Sequence, residues 1–124
     1  MAQNNFSFRR STDPLLLPVA TTATQFTVPA GYFLQGGPGF GATSFWVCNA
    51  NNFWVRLRGS GIMTDVNGSY SYTAVTDTTG WLFPPGYMGA FSTQYPMWMS
   101  TLSVSRQGLP AGTGTLELSY GGGN

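Results

Sequence analysis

Histidine and lysine do not occur in this sequence, cysteine occurs once, and only four carboxylates are spread over 124 residues. Catalysis near neutral pH draws on a positioned proton carrier, a thiolate, an amine or a metal-ligand cluster. Those residue types are nearly missing, so the composition points away from an enzyme and from any bound cofactor or metal. It points toward a protein that binds or builds. Charge is scarce as well: 7% of residues are charged, against about 25% in an average soluble protein. Five arginines against four acids leave a net charge of +1, too little to draw nucleic acid or an anionic membrane from a distance. Neither direct nucleic acid binding nor membrane attachment is expected.

Long apolar runs are absent too. Leu15-Leu16-Leu17 is halted at once by Pro18, far short of the roughly 18 apolar residues of a membrane span. No apolar stretch follows Met1, and Arg9 and Arg10 come after polar residues, so signal-peptide export is not expected. Cys48 has no second cysteine to pair with and reads as a small buried side chain. Asn67-Gly68-Ser69 reads as a tight turn rather than a used glycosylation sequon.

What the chain does have is glycine and proline at regular intervals, and aromatics. No stretch keeps a 3.6-residue apolar period, so the fold class is all-β. In Phe53 to Arg58 the side chains Phe53, Val55 and Leu57 alternate with Trp54, Arg56 and Arg58, giving one core face and one outward face. The last strand repeats this, with Leu116, Leu118 and Tyr120 against Thr115, Glu117 and Ser119. Further strands are predicted at 25–28, 32–35, 43–48, 70–75, 81–83, 87–92 and 98–105. Pro29-Ala30-Gly31 and Pro84-Pro85-Gly86 suit tight turns, because proline presets a negative φ and glycine accepts the positive one that follows. So many short strands with regular turns predict a β-sandwich, jelly-roll-like, with the strand order left open. The predicted organisation is an extended N-terminal arm over 1–13, one sandwich domain over 14–120 and a flexible tail over 121–124.

Three motifs resolve into structure. Gly36-Gly37-Pro38-Gly39-Phe40-Gly41 is no phosphate loop, since a β-pattern follows it, Pro38 removes a backbone donor and the chain has no lysine. Asp77-Thr78-Thr79-Gly80 has one residue too many for the aspartic-protease motif and no second copy, so it reads as a turn. Asp65, Asp77 and Glu117 are scattered acids rather than a glycosidase pair. Among the tryptophans, Trp81 and Trp98 read as core. Trp54 does not, because alternation sets it beside Arg56 and Arg58, a combination typical of interface hot spots.

The strand Phe53-Trp54-Val55-Arg56-Leu57, the Pro84-Pro85-Gly86 turn leading into an apolar strand, and the closing run Gly112 to Leu118 together resemble small β-rich virion proteins of tailed phages. The likeness is to capsid cement or decoration proteins and covers roughly 20–120. It implies a jelly-roll-like protein on the capsid exterior, made in the host cytoplasm, which binds the major capsid protein and other copies of itself and strengthens the shell. Many weak contacts would add through multivalency, so no single strong group is required. The expected contact residues are Phe6, Phe8, Arg9 and Arg10 on the arm, and Trp54, Arg56 and Arg58 on the strand face. Two rival readings share the fold: a carbohydrate- or receptor-binding virion domain with Trp54 stacked on sugar, and a tail or neck component.

Overall fold

A computed structural model describes residues 9–10, 14–29, 43–62, 70–93 and 96–122. Among them there is no helix, and the strands are β1 (Arg9–Arg10), β2 (Leu15–Val19), β3 (Thr24–Thr27), β4 (Thr43–Cys48), β5 (Trp54–Ile62), β6 (Trp81–Phe83), β7 (Met88–Thr93), β8 (Pro96–Val104) and β9 (Gly114–Gly122). All pairs are antiparallel. The first sheet has the order β2-β9-β4-β7, with β1 on the same edge of β9 as β2; the second has the order β3-β8-β5-β6.

The pairings are nested. β5 pairs β6, β4 pairs β7, β3 pairs β8 and β2 pairs β9. The chain is thus one long hairpin, with its apex between β5 and β6, rolled so that its successive segments fall alternately in the two sheets. That is the jelly roll, and the strand order left open by the sequence is settled by these registers.

Alternation supplies the core. Leu17 and Val19 of β2, Phe45 and Val47 of β4, and Leu116 and Leu118 of β9 face Val55 and Leu57 of β5, Phe83 of β6 and Met99 of β8, all buried. Each such side chain contributes about 1.5–3 kcal/mol of burial. An aromatic line joins the sheets at one side: Phe45 stacks on Phe91 at 5.5 Å, and Phe91 meets Trp81 at 4.9 Å and Phe83 at 5.7 Å.

The end of the sandwich at which β4 gives way to β5 is closed by a buried asparagine. Asn49 is fully enclosed, and its Nδ2 donates to the carbonyls of Phe53 (3.1 Å), Phe83 (3.2 Å) and Pro84 (3.0 Å). Its Oδ1 accepts from the backbone and side-chain nitrogens of Asn51 (3.2 and 2.9 Å), and Asn51 Nδ2 donates to the carbonyl of Thr115 (2.7 Å). The main chain of Asn49 is also tied to Tyr87 and Gly86. One side chain therefore holds the start of β5, the end of β6 and the turn into β7.

The expected turn at Pro84-Pro85-Gly86 is present, with Gly86 at φ 77° and Tyr87 N–H bonded to Pro84. β2 is not among the predicted strands; Pro18 is tolerated within it because β2 is an edge strand, pairing only β9 among the described residues. The predicted strand at 70–75 joins no ladder. It crosses the outer side of the second sheet, where Ser60 Oγ accepts from Thr73 N–H (3.1 Å) and Ser100 Oγ from Val75 N–H (3.0 Å); β5 and β8 already pair with each other. Finally, β9 runs on to Gly122, two residues into the segment read as a tail, and Gly121 and Gly122 pair with Arg10 and Arg9. The predicted strand at 32–35 lies outside the described residues.

Candidate functional site

The second sheet turns Val55 and Leu57 inward, so the residues between them face out. Trp54, Arg56 and Arg58 of β5 share this outer face with Val104, Leu102 and Ser100 of β8, their register partners, and Leu82 of β6 lies beside Arg56. The Tyr70–Thr76 crossing covers the part of the face around Ser60 and Ser100, with Tyr72 Oη donating to Ser100 Oγ (2.9 Å) and its ring edge-on to Trp98. The Trp54 end lies beyond those contacts.

Trp54 is not alone there. The Arg106 guanidinium stands 5.2 Å from the centre of its ring. Arg106 is placed by a two-residue turn in which its N–H and carbonyl both bond to Leu109, while Gln107 (φ 52°) and Gly108 (φ 81°) occupy left-handed conformations. That geometry is the type I′ turn that suits a tight reversal, and it needs the freedom of a glycine. The Arg56 Nη1 donates to the Gly80 carbonyl (3.3 Å), while its Nε is buried with no partner among the described residues. Arg58 is half-buried.

Of the predicted contact residues, Trp54, Arg56 and Arg58 are thus brought together on one sheet face. Arg9 and Arg10 lie on the other sheet, paired through their backbone to the end of β9. Phe6 and Phe8 fall outside the described residues. Arg106 was missed, because nothing local links it to Trp54; the Gln-Gly dipeptide after it is the one signal that a tight turn would fix its position. Trp81 and Trp98 are corrections to the core expectation: Trp81 is 36% exposed on the edge strand β6, and Trp98 is half-buried on the outer face. Cys48 is half-buried rather than core, since the inward positions of β4 are Phe45 and Val47.

The outer face of the first sheet is of a different kind. Its register aligns Leu16, Glu117, Cys48 and Met88 across four strands, and Leu16 and Met88 are 59% and 62% exposed. Asp77 is in the turn before β6 and Glu117 is on this opposite sheet, so these two carboxylates do not flank a common cleft. Among the described residues no group of three or more His, Cys, Asp or Glu is placed to hold a metal.

No protein family, curated protein or solved structure matches the chain. What the face can bind follows from its chemistry. Arginine forks present planar donors to carboxylates and carbonyls, and tryptophan supplies a large apolar area with little conformational freedom to lose. The stacked guanidinium contributes about 0.5–1 kcal/mol at an exposed site. Arg106→Ala should therefore cost no more than about 1 kcal/mol in a denaturant titration while shifting the emission of Trp54 to longer wavelength. The shift is isolated by repeating the comparison in a Trp54→Phe background, and no difference between the two backgrounds would mean the stack is not populated.

Proposed function

We propose that this protein is a non-enzymatic bacteriophage virion component, a cement or decoration protein that binds the major capsid protein and stabilises the shell. The observation that carries this reading is the Trp54, Arg56, Arg58 and Arg106 face, which has the residue types of a protein-binding hot spot displayed on a sheet. The jelly roll is compatible with it, since viral capsid domains use this architecture, as do lectins. Exposed Leu16 and Met88 on the other sheet, with Glu117 and Cys48 between them in register, offer a second surface for contacts between neighbouring copies. The sugar-stacking alternative is weakened by Arg106, which already occupies one side of the Trp54 ring.

Cosedimentation of the purified protein with capsids that lack it tests the proposal. Saturable binding at a ratio set by the shell's symmetry is expected, and Trp54→Ala should weaken it by about 30-fold, the effect of a hot-spot loss near 2 kcal/mol. Removing residues 1–13 should also weaken binding and leave the fold in place, because among the described residues the fully buried core side chains begin at Leu17, beyond the deletion. Absence of binding by the intact chain would overturn the capsid reading and make a glycan screen the next step.

A further inference from the structure

We infer that the end of β9 is an exchange site, at which β1 of one copy pairs with Gly121 and Gly122 of a second copy as it does with its own. The registers show why β1 is separable from the rest of the fold. Leu15 stands opposite Leu118 and Arg10 opposite Gly121. The chain therefore has four residues between Arg10 and Leu15 where β9 has two between Leu118 and Gly121. A two-residue excess breaks the edge into two independently paired pieces. β2 is anchored by Leu17 and Val19 in the core, whereas β1 is two residues long.

The acceptor is equally unspecific. Gly121 and Gly122 carry no side chain, so what these two positions offer β1 is backbone pairing. Two residue pairs supply few backbone bonds to set against the cost of ordering the segment. The pairing is marginal, and the same bonds form whether the arm comes from the same chain or another. The choice is then one of concentration. A short link supplies an effective concentration on the order of millimolar, and here only four residues separate Arg10 from Leu15 in the sequence. Exchange should compete once the protein itself approaches that concentration, as it would for copies crowded on a surface. The inference does not depend on the capsid reading, because it is tested on the purified chain alone.

The test uses full-length chains carrying Cys48→Ser. One chain carries Arg9→Cys and the other Gly122→Cys, positions that face each other across the ladder at a spacing a disulfide can bridge. Mixed at about 1 mM under a thiol redox buffer, they should give the mixed disulfide dimer about tenfold above either like-with-like dimer, and the excess should vanish on roughly hundredfold dilution. A single chain carrying both cysteines should form interchain multimers at the higher concentration and close on itself at the lower. Random proportions in the mixture, or closure only within one chain at both concentrations, would overturn exchange.

Discussion

Replacing Asn49 with leucine should lower the unfolding free energy by about 3–5 kcal/mol, the range for breaking a buried polar network. Leucine has a similar volume but leaves the carbonyls of Phe53, Phe83 and Pro84 without their donor, and Asn51 without its acceptor. Each buried group left unsatisfied costs about 1–3 kcal/mol. Asn49→Asp should be comparably severe, since it sets a second oxygen, charged or not, against three carbonyls that need N–H groups. Because the side-chain amide has only two hydrogens for three acceptors, at least one bond is shared, and the geometry leaves no slack for a longer glutamine. Urea titration followed by tryptophan fluorescence would measure the effect. A loss under about 1 kcal/mol for leucine would mean water replaces the amide at little cost. On the proposed capsid reading, capsid binding should fall as well, since Asn49 holds the entry into β5 immediately before Trp54.

Phe45→Ala is expected to cost about 3–5 kcal/mol, the usual range for a fully buried phenylalanine. Phe45 lies in β4, which is flanked by β9 and β7 in the first sheet, and is completely enclosed. Its ring begins the aromatic line through Phe91 to Trp81 and Phe83, so the cavity would open between the sheets where neither backbone can close it. Phe45→Leu should recover more than half of the loss by refilling most of the volume. Thermal unfolding of the two variants decides the matter: equal melting temperatures for alanine and leucine would show that the site collapses around the deletion.

Some of this was legible along the chain. The alternation in Phe53 to Arg58 was sufficient to name the buried face, as it was for Leu116 and Leu118, though Ser119, assigned to the opposite face, is buried as well; the strands at Thr43–Cys48 and Trp81–Phe83 have the predicted limits. Trp54, Arg56 and Arg58 were recognisable as outward-facing for the same reason. β2 was not predicted: Pro18 was read only as the end of a short apolar run, and what makes proline acceptable there is pairing to β9 alone among the described residues. The tyrosine-rich segment at 70–76 has strand-like alternation, yet its amides bond to serine hydroxyls on a sheet face. Trp98 looked like core because an apolar neighbourhood in sequence does not say which side of a sheet has a second layer over it.

Period-two patterning, turn residues and the lack of ionisable groups are properties of neighbouring residues, and they suffice for an all-β chain with little catalytic inventory and a tryptophan displayed between arginines. Strand order, the Arg106 stack on Trp54, the Asn49 closure and the broken edge of β9 all depend on contacts between distant parts of the chain, such as the bond from Asn51 to Thr115 across 64 residues. Side-chain alternation assigns each strand a face but carries no information on its neighbour. Which strands meet is settled by rolling the chain so that every apolar face is covered at once.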